Sequence, residues 1–143
     1  MKRTAVMLVL AAAVGIVVGV VGTQVLSAQQ VAVTRTPLLK GELMGIAGKE
    51  VTMFMAEIQP GARTGKHYHP GDEFIYVLEG SGVLEEQGKP PITMKPGTAL
   101  HYASPAEKAA YVHEAKNTSD TAPLKVLAVL ITDKGQPLAH SME

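Results

Sequence analysis

The chain has no cysteine and no tryptophan, and its 143 residues include only two phenylalanines and four tyrosines. The missing cysteine excludes disulfides, thiolate zinc sites, iron–sulfur clusters, a cysteine nucleophile and a lipid-modified N-terminal cysteine. An excess of either charge is missing too. Thirteen Lys and Arg face thirteen Asp and Glu, so the formal net charge is zero. That balance argues against a surface built to hold nucleic acid, and no nucleic-acid partner is expected. The length allows one domain at most.

Long hydrophobic runs are absent with one exception, at the start. Nineteen of the first 28 residues are Ala, Val, Ile, Leu or Met. Lys2 and Arg3 open the chain, and no further charge appears until Arg35. Between them Ala5 to Val21 is a continuous apolar run of 17 residues, followed by Val25-Leu26-Ser27-Ala28. A basic start, an apolar middle and a small-residue exit form a secretory signal. The run is short of the roughly 20 residues that span a bilayer comfortably. We read residues 1–28 as an export signal cleaved after Ser27 or Ala28, with an uncleaved N-terminal anchor helix as the alternative. Either way the remainder is expected outside the cytoplasm, periplasmic or secreted, touching a membrane only through this segment. Without Lys2 and Arg3 that remainder has 11 basic and 13 acidic residues.

After residue 30 no sustained helical period appears, apart from one helical turn expected after Pro105. Short β-type runs alternate instead with turn residues. Val51–Ile58 ends at Pro60-Gly61, Phe74–Glu79 at Gly80-Ser81-Gly82, and Val83–Glu86 at Gln87-Gly88. Ile92–Met94 ends at Pro96-Gly97, Ala99–Tyr102 near Ser104-Pro105, and Val112–Ala115 at Asn117–Asp120. Leu124–Thr132 is the most apolar run and is expected at the centre of a sheet. Seven or eight such strands predict an all-β sandwich or barrel. Residues 29–49 read as a lead-in, 50–135 as the barrel and 136–143 as a loose polar tail.

The chemistry concentrates between Gly61 and Gly80. His67 and His69 are two apart, so on an extended strand both rings point to one face. Glu73 follows the Pro70-Gly71 turn, and a hairpin-like reversal returns its carboxylate toward the same point. A further histidine, His113, lies on an expected strand. Three imidazoles and a carboxylate make an N/O site for one divalent transition metal: Fe, Mn, Ni, Cu or Zn. Four protein ligands on an octahedral ion leave two positions for water, dioxygen or substrate.

These residues resemble the cupin superfamily. Its first motif is Gly, five residues, His-x-His, three or four residues, Glu, six residues, Gly; Gly61, His67, His69, Glu73 and Gly80 match every spacing. Its second motif ends in His, three residues, Asn, as His113 and Asn117 do. The opening of that motif departs from the pattern, with Ala103-Ser104-Pro105 in place of Pro-x-Gly, and His101 competes with His113. The resemblance covers about residues 50–132. It implies a double-stranded β-helix (jelly-roll) barrel and carries over His67, His69, Glu73 and His113 as metal ligands.

Three functions follow. The first is metal-dependent, dioxygenase-like oxidoreductase chemistry on a small molecule. There Glu73 acts as a base and Tyr111, two residues before His113, lines the pocket. Arg63 and Lys66 stand at the mouth as candidates to hold an anion. The second is a non-redox lyase, isomerase or hydrolase that uses the ion as Lewis acid. The third is a ligand-binding or sensing module of the cell envelope. Met53 and Met55 are expected in the core or pocket wall. A homodimer is expected through edge strands, with the lead-in crossing to the second subunit.

Overall fold

Alternation along each strand writes two sheets with a shared interior. The computed structural model describes residues 32–104 and 111–142. The apolar leader and the turn expected after Pro105 lie outside these residues. Ten strands appear in chain order. They are β1 (Val33–Glu42), β2 (Lys49–Ile58), β3 (His67–Tyr68), β4 (Gly71–Glu79), β5 (Gly82–Glu86), β6 (Ile92–Met94), β7 (Ala99–Ser104), β8 (His113–Asn117), β9 (Leu124–Asp133) and β10 (His140–Ser141). Among the described residues there is no helix.

One sheet runs β1-β2-β9-β4-β7 and the other β10-β3-β8-β5-β6, and every pairing is antiparallel. The apolar β9 is central, as its composition predicts. Along β9, Leu124, Val126, Ala128 and Leu130 are buried while the residues between them are half-buried. Ile75 and Val77 of β4 and Phe54, Ala56 and Ile58 of β2 share that inner face, and Leu84 and Met94 close it from the other sheet. Met53 and Met55 take the opposite parity on β2 and are only half-buried, so they belong to the outer face rather than the core.

Two segments differ from the sequence reading. The lead-in contains β1, which pairs with β2 of the same chain from Val33↔Ile58 to Glu42↔Glu50. Pro37 sits at a register shift on this edge strand, where its missing N–H is tolerated. The polar tail is also ordered against the barrel: β10 pairs His140 with Tyr68 and Ser141 with His67.

The glycine after β4 is required by packing as well as by turn geometry. Gly80 has φ +83°, and a Cβ there would stand 2.3 Å from the Pro123 carbonyl oxygen. Gly61 has φ +68° and open space around it, so only its backbone angle asks for glycine. Asn117 closes the barrel end. Its side-chain amide donates to the carbonyls of Ile58 (2.9 Å) and Ala122 (2.8 Å), and its Oδ1 accepts from Ser119 N–H.

Candidate metal centre

His67 on β3 lies directly opposite His113 on β8. His69 has the same parity as His67, one step past the end of β3. The chain then leaves this sheet altogether, so the return of Glu73 is not a hairpin. It is a crossing at Pro70-Gly71 into β4 of the facing sheet. Gly71, with φ +145°, makes that crossing where a Cβ would strike the Ile131 carbonyl oxygen at 2.2 Å. Two sheets thus present three imidazoles and a carboxylate to one point.

Backbone carbonyls orient each ring. Nδ1 of His67 meets the Gly65 carbonyl (2.7 Å), Nδ1 of His69 the Leu138 carbonyl, and Nδ1 of His113 the Tyr111 carbonyl (2.9 Å). A carbonyl only accepts, so each Nδ1 carries the proton and each Nε2 keeps its lone pair. Burial holds the rings neutral. Loss of water lowers the pKa of His67, takes His69 down to about 3 and takes His113 to about 4. The ligand atoms of the three lie within 4.8 Å of one another.

Glu73 faces them. Its carboxylate oxygens stand 3.2 Å from His69 Nε2 and 3.3 Å from His113 Nε2. With the ring protons on Nδ1, these are acceptors facing acceptors, and Glu73 Oε2 has no hydrogen-bond partner. Burial pushes Glu73 up to about 8. Only a proton or a cation between these atoms removes the repulsion. Adjacent ligands on an octahedral ion with bonds of about 2.1 Å stand about 3 Å apart, so the spacing fits a metal. The donor set, three neutral imidazoles with a carboxylate, fits as well.

The cavity they border has a volume of about 40 Å³, room for about three waters or the head of a small ligand. Its other walls are mostly apolar, among them Phe54, Ile75, Leu84 and Met94, with Arg35 and Thr64 the polar exceptions.

Several candidate residues lie elsewhere. Tyr111 does not line the cavity: the residue is 42% exposed, with its ring beneath the Lys89 ammonium. Its φ of +54° breaks the alternation that would have turned it inward, and only its carbonyl serves the site. The buried phenol is Tyr102, whose ring lies 5.2 Å from that of His113 and whose hydroxyl has no partner. Burial raises it to about 12, so it stays protonated. His101 is on the outer face, stacked on Phe74 and bonded to Asp72 at 2.8 Å. Arg63 is paired with Glu114 at 3.1 Å. Two participants carried no signal in any motif: Arg35, which lines the cavity from β1, and the tail, whose Leu138 holds His69.

The comparisons agree with this architecture. Residues 54–130 match the profile of the cupin domain, which is more than half of the chain. The chain belongs to the cupin family. No curated protein matches it. Among solved structures it is similar to a cupin-like protein from Thermotoga maritima, at 25% identity and TM-score 0.57 over 77% of this chain and 75% of that one. A DMSP lyase from Ruegeria pomeroyi aligns at 17% identity and TM-score 0.59, over 85% of this chain and 57% of that one. The polyketide cyclase from Streptomyces resistomycificus aligns at 21% and 0.57, over 78% and 72%. The last two likenesses concern the fold alone.

Proposed function

We propose that this chain is a metal-dependent enzyme of dioxygenase-like type, holding one divalent metal through His67, His69, His113 and Glu73 and acting on a small organic molecule. One observation carries the reading: three separate backbone carbonyls fix three neutral imidazoles whose ligand atoms lie within 4.8 Å of one another, and the Nε2 atoms of two of them, His69 and His113, face the Glu73 carboxylate. Buried acceptors without donors are costly unless a cation completes them. A bound transition metal would supply Lewis acidity and, for iron or copper, electron transfer.

The residues have separable tasks. The histidines hold position, since their Nδ1 protons are fixed by carbonyls and their low pKa values keep them unprotonated at neutral pH. Glu73 supplies the one negative charge of the donor set; without a cation, burial raises its pKa to about 8. The apolar wall of Phe54, Ile75, Leu84 and Met94 keeps bulk water from the substrate.

A second reading, a non-redox lyase, isomerase or hydrolase, is favoured by Tyr102. A buried phenol beside His113, protonated at neutral pH, is suited to donate a hydrogen bond or proton to an oxygen at the site.

The test begins with metal content. Protein purified anaerobically and loaded with Fe(II), Cu(II), Zn(II), Ni(II) or Mn(II) is expected to bind one ion per chain, and His113→Ala to bind none. Oxygen uptake on catechol- or diketone-type compounds by the iron or copper form supports the oxidative reading. Turnover with zinc, nickel or manganese and no oxygen uptake moves the assignment to the second. A folded protein that binds no metal overturns both.

A further inference from the structure

Of the cavity-lining residues, Arg35 is the one cation. It projects from β1 on the same face as Val33, which packs on the core, and its register partner Ala56 also lines the cavity. Several basic side chains among the described residues are matched at the surface: Lys40 with Glu50, Lys49 with Asp133, Lys89 with Glu86 and Lys125 with Glu79. Arg63, which sequence position favoured as an anion holder, is matched by Glu114. Lys66 borders a different cavity, beside Glu85, Glu86 and Glu114. Among the described residues Arg35 forms no ion pair and no side-chain hydrogen bond. It is nonetheless close enough to the centre for its charge to act on His67, His69 and Glu73.

We propose that Arg35 is the specificity determinant of this site, and that the ligand is a small organic carboxylate with a compact apolar body. The proposal rests on the metal reading above and names the substrate class of that site. A divalent ion on three neutral imidazoles and one carboxylate leaves net positive charge, and Arg35 adds another. Arg35 is itself exposed on the edge strand, so it stands at the mouth of the cavity, where an anion entering toward the ion neutralises the excess charge. The planar guanidinium matches a carboxylate with two parallel N–H donors. Behind it the wall is apolar, with Phe54, Ala56, Met94 and Val126, and so takes the hydrocarbon part. The small volume excludes a large one.

The experiment uses the full chain loaded with Co(II), whose visible spectrum reports ligands near the ion. Metal loading is measured first with cobalt alone, for wild type and Arg35→Gln. Pyruvate and isobutyrate are then titrated beside their neutral amides, pyruvamide and isobutyramide, with wild type, Arg35→Gln and Arg35→Lys. Expected is a carboxylate preference over the amide in wild type. Arg35→Gln should weaken carboxylate binding roughly ten- to hundred-fold, the worth of a charge-assisted pair, and Arg35→Lys should restore part of it. Cobalt affinity in Arg35→Gln should be equal or higher, because a repelling charge has gone. Equal binding of acid and amide, no binding of either, or unchanged carboxylate affinity in Arg35→Gln overturns the proposal while leaving the metal reading intact. A wild type that loads no cobalt overturns the metal reading and this one with it. Loss of cobalt from Arg35→Gln alone shows a structural role and also overturns it.

Discussion

On the same inner faces, the rows near Gly80 and the rows near Gly71 carry opposite chemistry. Near Gly80 the barrel is filled by Ile58, Val77, Leu84 and Leu124, each essentially without solvent exposure. Near Gly71 the strands keep their alternation, but the buried side chains are His67, His69, Glu73 and His113. The first half gains free energy by removing apolar area from water, at roughly 25 cal/mol per Å². The second half gives stability up, since it buries three imidazoles and a carboxylate with their lone pairs facing one another. Strand parity thus decides which residues go inside, and it does not decide whether the inside is a core or a site. The difference teaches that the apolar half must hold the polar half in place. It also means that damage to one half should leave a different trace from damage to the other.

The largest effect is expected where the apolar half is emptied. Leu124 lies on the central strand, fully buried, and packs over Gly82, where its Cδ2 leaves no room for a Cβ. Leu124→Ala should destabilise the metal-free protein by about 2–5 kcal/mol, the range for buried Leu→Ala with partial collapse of the cavity. Urea unfolding checks this. At urea concentrations well below the transition, metal stoichiometry should remain one per chain. A loss of stability under about 1 kcal/mol would place this half outside the cooperative core.

A smaller, opposite signature belongs to the polar half. Glu73 is raised from its ordinary value of 4.5 to about 8 in the folded state. Its contribution to metal-free stability is therefore full below pH 4.5 and lost as pH rises through 8. His69 and His113 are lowered from 6.5 to about 3 and about 4. Their contribution is present above pH 6.5 and is lost as pH falls toward 4 and 3. Between pH 6.5 and 8 the carboxyl outweighs the imidazoles, which still gain as their unfolded counterparts lose protons, so metal-free protein should lose about 1 kcal/mol across that window. A bound cation replaces the proton, and the loss should vanish. Thermal melts at pH 6.5 and 8, with chelator and with metal, test this. A flat metal-free profile would mean that Glu73 is already ionised and paired.

The apolar half and the ligand spacing were legible because both are local. Strand alternation needs a few residues, and the spacing from Gly61 through His67, His69 and Glu73 to Gly80 needs twenty. What escaped depends on pairing at long range or on one dihedral angle. Arg35 sits in a stretch that reads only as a lead-in, and it is the pairing of that stretch with β2 that brings Arg35 to the cavity. The tail reads as loose because nothing local shows that the Leu138 carbonyl meets His69, 69 residues away in sequence. Tyr111 was expected inward on parity with His113, but its left-handed backbone resets the parity. The inward phenol proved to be Tyr102, which the register pairs with Glu73.

The smallest expected effect sharpens the comparison most, because it concerns the histidine that competes in sequence with His113. His101 is paired in register with Phe74, on the outer face of β7, and stacks on it with ring centroids 4.4 Å apart. Its Nε2 meets Asp72 at 2.8 Å, and both side chains are about half exposed. An exposed pair of this kind is worth little, about 0–1 kcal/mol. His101→Ala should therefore shift stability by no more than about 1 kcal/mol and leave metal affinity within about twofold. The two residues differ in sequence only by their context, and in structure by the face they occupy. His101 cannot reach the ion without β7 slipping by one residue, which would carry Tyr102 out of the interior and His101 in. A measured loss of metal in His101→Ala, with His113→Ala still loading, would show that slip. It would move the second half of the site from β8 to β7.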